Sequence, residues 1–132
     1  MFMGEFRHNI DAKGRLIIPS KLREQCGESV VITRGFDGCL ALYTQEGWND
    51  YYQKLQTLPK TKREARNFVR IITSRASECE FDKLGRVNIP NVLRIEGKLE
   101  KECIIVGVGD HVEIWNQNIW DDYYDANKDN FD

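Results

Sequence analysis

The order of hydrophobic and polar residues along the chain predicts a series of short strands and helices. Residues 3–10 alternate between apolar and polar side chains, as a half-buried strand does. Residues 11–14 have Asp first and Gly fourth, which is the preferred chemistry of a tight turn. A second strand follows over residues 15–18 and ends at Pro19, after which residues 20–26 are expected to form a short helix that Gly27 stops.

The next part of the chain continues in the same way. Apolar runs at residues 30–33 and 40–43 predict two more strands, and Thr44 has the chemistry of a helix N-cap. The helix after it carries large side chains at helical spacing: Trp48, Tyr51, Tyr52 and Leu55. Residues 60–74 contain no Gly or Pro, which predicts an amphipathic helix. Its apolar stripe consists of Ala65, Phe68, Val69 and Ile72.

The chain contains two copies of one sequence. Residues 11–24 read DAKGRLIIPSKLRE, and residues 82–95 read DKLGRVNIPNVLRI. WNDYY at residues 48–52 and WDDYY at residues 120–124 match as well. A tandem duplication of a unit of roughly 70 residues explains both matches, and two such units are expected to pack as an internal pseudo-dimer. The second unit repeats the elements of the first, with strands at 79–81, 86–89, 103–106 and 112–115 and helices at 90–97 and 117–126.

These elements predict an α+β fold that is mainly β. We expect a small closed β-barrel formed by two tandem half-domains, with helices on its flanks. The first repeat spans residues 1–58, a basic amphipathic helix over residues 59–75 connects the repeats, and the second repeat spans residues 76–132. A length of 132 residues suits two half-domains that share one core.

Composition excludes several classes of protein. Hydrophobic residues make up 41% of the chain, which indicates a globular protein. No apolar run is long enough to cross a bilayer and the N-terminus lacks a signal-peptide pattern, so we expect a cytoplasmic protein with no membrane partner. The four cysteines form no CxxC motif, and His8 and His111 have no neighbouring ligand in the sequence. Reduced, buried thiols are therefore expected, and neither a metal nor a cofactor is expected.

Charge is distributed unevenly, although the formal net charge is only -2. One segment concentrates the basic residues Lys60, Lys62, Arg63, Arg66, Arg70 and Arg75. The region beyond Gly109 concentrates the acidic residues Asp110, Glu113, Asp121, Asp122, Asp125, Asp129 and Asp132. Such a separation steers two surfaces to different partners or joins neighbouring copies of the chain, and two solvated faces with no specific partner are the plain alternative.

The duplicated segment places an arginine directly after each tight turn, at Arg15 and Arg86. At such a rim, a guanidinium reaches a phosphate or the edge of a guanine. Asp11 and Asp82 precede the arginines by four residues, so an ion pair within each turn is the simplest alternative. An exposed ion pair contributes only about 0–1 kcal/mol, which is a weak reason for it to occur twice. We therefore expect each Asp to hold its Arg in position for a contact with DNA.

Residues near the two turns complete the predicted site. Gly14 and Gly85 permit the turn geometry. Four neighbouring side chains are expected to add phosphate contacts. They are Arg7, His8, Lys13 and Lys83. The repeated aromatic residues are expected to pack in a core or an interface, since base stacking would need them exposed. No group of residues has a catalytic spacing, so we expect neither an enzyme nor a small-molecule substrate.

Three stretches of sequence resemble the MraZ family of bacterial transcriptional regulators. They are the opening MFMGEFRHNIDAKGRLIIPSKLRE, the central helix and the second DKLGRVNIP. The resemblance covers nearly the whole chain, and the duplicated D-x-x-x-R motif is specific to the family, whose two copies belong to the SpoVT-AbrB class of DNA-binding folds. The two copies differ here, because Asn88 replaces Ile17 and Leu84 replaces Lys13.

The resemblance implies a β-barrel with flanking helices that assembles into a homo-oligomeric ring. It also implies that the exposed turns bind direct repeats in promoter DNA upstream of the division and cell-wall gene cluster, at the nucleoid. The chain is thus expected to be a sequence-specific regulator that binds double-stranded DNA. The alternative is a structural protein that assembles into rings and has no direct role at DNA.

Overall fold

The computed structural model describes residues 1–131, and this part of the chain forms eight strands and five helices. The strands are β1 (Phe2–Asn9), β2 (Arg15–Ile17), β3 (Ser29–Arg34), β4 (Leu40–Thr44), β5 (Ser77–Glu80), β6 (Arg86–Asn88), β7 (Glu102–Gly109) and β8 (Val112–Asn116). The helices are α1 (Ser20–Arg23), α2 (Gln45–Gln56), α3 (Arg63–Arg75), α4 (Asn91–Glu96) and α5 (Gln117–Asn127). The predicted α+β class, with strands predominating, is confirmed. Asp132, the last residue of the predicted acidic stretch, lies outside the described residues.

The two repeats are interleaved. A six-stranded antiparallel sheet has the order β1-β7-β8-β4-β3-β5, and β2 pairs with β6 in a separate two-stranded ribbon. Strands β1 and β5, at equivalent places in the two repeats, each pair with a strand of the other repeat. The strand pairing relates the two repeats by a pseudo-twofold axis. The axis passes between Ala41 and Glu113 in the sheet and between Leu16 and Val87 in the ribbon. The prediction of an internal pseudo-dimer is therefore confirmed.

The prediction of a closed barrel is wrong, because the six-stranded sheet is open. Its edges are β1 and β5, which do not pair with each other. The physical reason is the course of the chain after each edge strand. Tight turns at 11–14 and 82–85 lead the chain into β2 and β6, and these strands pair with each other rather than join the edges of the sheet.

One hydrophobic core contains side chains from both repeats. Leu16 and Val87 on the inner side of the ribbon are fully buried, as are Leu22 of α1 and Leu93 of α4. Each fully buried side chain of this kind contributes about 1.5–3 kcal/mol. Each predicted buried thiol is buried and forms no disulfide; they are Cys26, Cys39, Cys79 and Cys103. Because the core is shared, neither repeat has a complete hydrophobic interior of its own.

The helices at the ends of the two repeats, α2 and α5, begin with equivalent N-caps. The Thr44 hydroxyl accepts a hydrogen bond from the Gly47 amide at 2.9 Å, which confirms the predicted cap of α2. The Asn116 side chain caps α5 by accepting from the Ile119 amide at 3.1 Å. The ring of Trp48 lies 6.1 Å from Tyr43 and that of Trp120 lies 5.2 Å from Trp115, so both tryptophans pack on the sheet. Tyr52, Tyr123 and Tyr124 are exposed, so the predicted packing holds for only part of the repeated aromatic set.

Helix α3 lies on strand β3 and is fixed at its C-terminal end. The buried Thr33 hydroxyl donates a hydrogen bond to the carbonyl of Ile72 at 2.7 Å. Arg75 Nε donates to Glu96 Oε1 at 2.8 Å, which connects the helix to α4. Of the other arginines of α3, Arg63 and Arg70 are exposed, whereas Arg66 is half-buried and its Nη1 donates a hydrogen bond to the Lys60 carbonyl at 3.0 Å. Within residues 1–131, no helix combines the length and the apolar character that a membrane span requires.

Candidate nucleic-acid interface

The turn between β1 and β2 is closed by the Asp11 side chain. Asp11 Oδ1 accepts hydrogen bonds from the backbone amides of Lys13 at 3.0 Å and Arg15 at 2.9 Å. The Gly14 amide donates to the Asp11 carbonyl at 3.0 Å, as the predicted four-residue turn requires. The second carboxylate oxygen, Oδ2, accepts from Arg15 Nε at 2.7 Å. One aspartate therefore both shapes the turn and orients the arginine that follows it.

The turn between β5 and β6 reproduces this arrangement. Asp82 Oδ1 accepts from the amides of Leu84 and Arg86, both at 2.9 Å. The Gly85 amide donates to the Asp82 carbonyl at 3.0 Å. Asp82 Oδ2 accepts from Arg86 Nε at 2.7 Å. The duplicated D-x-x-x-R sequence thus encodes the same local structure twice.

The two arginines use one edge of the guanidinium for support. Because Nε of Arg15 and of Arg86 is bound to an aspartate, the terminal amino groups remain for a partner. The side chain of Arg15 is 35% exposed and that of Arg86 is 24% exposed. Arg86 Nη1 also lies 4.0 Å from Asp11 Oδ2, so Asp11 is close to both arginines.

Hydrogen bonding keeps both aspartates ionised. The backbone amide of Arg15 has the largest effect on the pKa of Asp11, which lies below its ordinary value despite an opposing effect of desolvation. The amide of Arg86 lowers the pKa of Asp82 in the same way, with help from the Arg86 side chain and the Leu84 amide. Each guanidinium therefore has a charged partner at neutral pH.

The glycine of each turn lies against an arginine of the other repeat. Gly14 has φ +87°, and a Cβ there would lie 2.7 Å from Arg94 Cζ. Gly85 has φ +78°, and a Cβ there would overlap the Arg23 guanidinium. Both positions require glycine, for backbone conformation and for space.

Arg23 and Arg94 are site residues that the sequence-based site omitted. Arg23 Nη1 donates to the Ile18 carbonyl at 2.8 Å, and Arg94 Nε donates to the Ile89 carbonyl at 3.0 Å. Each arginine is thus hydrogen-bonded within its own repeat, while its guanidinium lies against the turn of the opposite repeat and adds positive charge there. Both are identical in register between the two copies, which was the available signal, but the contact between repeats is visible only in three dimensions.

The outer face of the ribbon carries four side chains, and we call it the ribbon face. Arg15 is paired with Asn88 across the two strands, and Ile17 is paired with Arg86. Leu16 and Val87 point the other way, into the core. The ribbon face therefore consists of Arg15, Ile17, Arg86 and Asn88.

The structure brings some of the predicted site residues together and separates others. Lys13 and Lys83 are exposed in the two turns, beside the ribbon face. Arg7 is directed toward α5, where its Nη2 lies 3.0 Å from Asp121 Oδ1 and 3.5 Å from Glu5 Oε2. His8 is half-buried on β1. The two lysines extend the ribbon face, whereas Arg7 and His8 lie on β1 outside the turns.

A cleft of about 430 Å³ lies elsewhere, between the sheet and α2. In it His111 stacks on Tyr43 with ring centroids 5.0 Å apart, and His111 Nδ1 lies 2.6 Å from Asp110 Oδ1. Burial opposes the charged imidazole, but hydrogen bonds to Glu113 and Asp110 leave the pKa of His111 raised. Across residues 1–131, no three His, Cys, Asp or Glu side chains are grouped so that they could hold a metal ion.

Comparison with known proteins identifies the family. A family model described as "MraZ protein, putative antitoxin-like" matches residues 1–71 and again residues 72–132. "Transcriptional regulator MraZ" of Ligilactobacillus salivarius (strain UCC118) is 58% identical over 132 residues, covering 100% of this chain and 92% of that protein. The protein of the same name from Limosilactobacillus reuteri (strain DSM 20016) is 54% identical over 132 residues, covering 100% of this chain and 93% of that protein. Both repeats match the family and the similarity extends over the full chain, so this chain belongs to the MraZ family.

Proposed function

We propose that this protein is a transcriptional regulator that binds double-stranded DNA in a sequence-specific manner through the ribbon face. The observation that carries the proposal is the presence of two arginines, each fixed by an aspartate, on one exposed face of a two-stranded ribbon. A two-stranded ribbon fits the major groove, and an arginine whose amino groups are free is the side chain best suited to guanine. Membership of a family whose relatives are named transcriptional regulators supports the same conclusion.

The dimensions of the ribbon suit neighbouring base pairs. Arg15 and Arg86 occupy diagonal positions of an antiparallel pair, which are typically ~7–8 Å apart. Successive bases of a strand are about 3.4 Å apart, so the two arginines span about two base-pair steps. Lys13 and Lys83 are exposed in the turns at the two ends of the ribbon, and we propose that they contact phosphates and fix its register.

Assembly into a ring belongs to the proposal. A groove of about 230 Å³ between α2 and α3 has an apolar lining that includes Leu55 and Val69, with Arg66 and Arg70 beside it. Helix α5 exposes tyrosines next to acidic residues, among them Tyr124, which is 52% exposed. We propose that α5 of a second copy occupies this groove, because the two surfaces are complementary in charge and both contain apolar groups.

A head-to-tail contact of this kind closes into a ring when the rotation between subunits permits. A chain of net charge -2 has little general attraction for DNA, so one ribbon face gives modest affinity. Several ribbon faces in one particle bind with avidity, which raises the overall affinity by a factor of ~10²–10⁴ over that of one ribbon face. A ring therefore suits promoter DNA that carries direct repeats, and we place its targets upstream of the division and cell-wall gene cluster, in the cytoplasm at the nucleoid.

The second candidate function is a structural protein that forms rings without binding DNA. The groove between α2 and α3 and the acidic α5 favour it, since both serve assembly alone. Salt dependence separates the two functions, because binding through several phosphate contacts weakens steeply as the salt concentration rises.

The deciding experiment measures binding of the full-length protein to duplex DNA from upstream of its own gene, at several salt concentrations, by fluorescence anisotropy. Arg15→Ala and Arg86→Ala are each expected to weaken binding by ~1–3 kcal/mol with the fold intact. Arg63→Ala is the matched control, since it removes the same charge from an exposed position on α3. Equal losses for all three variants, or no binding by the parent protein, would refute the proposed site.

A further inference from the structure

The ribbon face is symmetric in its backbone and asymmetric in its side chains. The pseudo-twofold axis between Leu16 and Val87 relates Arg15 to Arg86. The same axis relates Ile17 to Asn88, which have opposite chemistry. Two equivalent positions of the ribbon face therefore carry the same side chain, arginine, whereas the other two carry different side chains.

Both unlike residues are available to a partner. Ile17, the last residue of β2, is 39% exposed, although isoleucine is among the residues most often buried. Asn88 is exposed as well, at the end of β6. Neither side chain contributes to the core, which the opposite face of the ribbon supplies.

The two side chains suit different bases. An asparagine amide recognises adenine by two hydrogen bonds in the major groove, whereas an apolar side chain contacts the methyl group of thymine. Because Arg15 pairs with Asn88 across the ribbon, one half of the face combines guanidinium and amide. The other half combines Arg86 with Ile17 and is guanidinium and hydrocarbon.

We infer that Ile17 and Asn88 determine the sequence specificity of the ribbon face and give its DNA site a direction. The inference rests on the proposed function. A ribbon face with two identical halves would prefer a palindromic site, on which its two orientations are equivalent. With unlike halves, each protomer prefers a non-palindromic site in one orientation. Protomers that follow one another head to tail around a ring then require repeats that all run in the same direction.

The side chains of the turns also differ between the repeats. These differences are expected to change the affinity for DNA but not the base sequence that the protein prefers. Lys13 corresponds to Leu84, and Ala12 corresponds to Lys83. These exposed side chains lie beyond the paired strands, where a lysine meets phosphate, and phosphate contacts carry no base information directly. The matched control therefore exchanges two equivalent exposed residues outside the ribbon face and the turns, Glu24 after α1 and Ile95 of α4.

The test selects binding sites from a random duplex library with the full-length protein and its variants. The parent protein is expected to enrich a non-palindromic site. Asn88→Ile and Ile17→Asn should each change the preferred bases in one half of the site only, by roughly 5- to 150-fold in relative affinity. Ile17→Val, which keeps the hydrocarbon contact, should retain the parental preference.

The double exchange Ile17→Asn with Asn88→Ile is the sharpest variant. It exchanges the two side chains that the pseudo-twofold axis relates, so the face presents the same side chains turned by 180° while the backbone is unchanged. The enriched site should be the parental one in the opposite orientation, as shown by DNA cleavage from an iron chelate attached at Ala12→Cys. The control exchange Glu24→Ile with Ile95→Glu should keep both the site and its orientation. Melting curves verify that all variants are folded.

Three results distinguish failure of the inference from failure of the proposed function. If the double exchange selects the parental site in the parental orientation while Arg15→Ala abolishes selection, the inference is wrong and the proposed function stands. A palindromic site for the parent protein refutes the inference in the same way. If the parent enriches no sequence at all, both the proposed function and the inference are refuted.

Discussion

The first and second repeats hold their arginines by the same hydrogen bonds but surround them with different side chains. In both turns an aspartate binds two amides and the Nε of an arginine, with distances that agree within 0.1 Å. Beside these constant parts, isoleucine is exchanged for asparagine and lysine for leucine. The scaffold of the ribbon is therefore duplicated, while the surface that meets a partner differs between the copies.

The two turns also differ in how closely their aspartates approach the arginines. Asp11 is 2.7 Å from Arg15 and 4.0 Å from Arg86, whereas Asp82, among residues 1–131, forms an ion pair with Arg86 alone. Arg86 is consequently more enclosed than Arg15. The first turn is expected to have the greater influence on binding, because its aspartate acts on both arginines.

The largest expected effect concerns the core that the repeats share. Leu22→Ala and Leu93→Ala, at equivalent and fully buried positions, should each lower the free energy of unfolding by about 2–5 kcal/mol. Both variants and the parent should unfold in a single transition in denaturant, since neither repeat has its own core. Ile95→Ala, at a position on α4 that is 67% exposed, is the control and should have little effect. Two separate transitions in the parent would show that the repeats fold independently.

The aromatic residues at the ends of the repeats should have smaller effects. Trp48 and Trp120 are half-buried, so replacing either by alanine should cost about 1–3 kcal/mol, less than the ~3–5 kcal/mol of a fully buried tryptophan. Thermal melting compares the two variants with the parent. A variant that melts like the parent and yet loses DNA binding would contradict the packing role.

Replacing the two aspartates separately tests the unequal support of the arginines. Asp11→Asn should weaken DNA binding several-fold, because it removes a charged partner close to both Arg15 and Arg86. Asp82→Asn should have a smaller effect, since Arg86 keeps Asp11 nearby. Anisotropy titrations measure both. The reverse order of effects would show that the second turn dominates.

The pH dependence of the turns is the smallest expected effect. The pKa values of Asp11 and Asp82 are lower in the folded protein than in the unfolded chain. Their contribution to stability is therefore complete above the unfolded value of about 3.9 and is lost as the pH falls through the lower folded values. Melting temperatures between pH 6 and pH 3 measure it. A variant carrying both Asp→Asn replacements should lose less stability over this range than the parent does, and equal losses would exclude the turns as the source.

Much of the local structure could be predicted from the sequence, because it depends on neighbouring residues. The turns follow from Asp and Gly at fixed offsets, and the cap of α2 follows from Thr44. The open sheet could not be predicted, since pairing between β1 and β7 joins residues about a hundred positions apart. The ion pair of Arg7 with Asp121 could not be predicted for the same reason, because the two residues are far apart in the sequence. The contacts of Arg23 and Arg94 with the opposite turns also join distant parts of the chain.

The native thiols allow a direct test of which surface meets DNA. Burial raises the pKa of the Cys26 and Cys103 thiols to about 11 and also raises the pKa of the Cys39 and Cys79 thiols. None of them should react readily, because the thiolate is the reactive form. An introduced surface cysteine can therefore carry an iron chelate that cleaves DNA nearby.

The measurement places this chelate at Ala12→Cys, at Leu84→Cys or at Gln53→Cys, three exposed positions of which the first two lie in the turns and the last lies on α2. Bound to DNA from upstream of its own gene, the two turn variants should cut within the repeats, at positions displaced from each other. The Gln53→Cys variant should leave the repeats uncut. Cleavage from Gln53 together with none from either turn would contradict the assignment of the ribbon face as the surface that binds DNA.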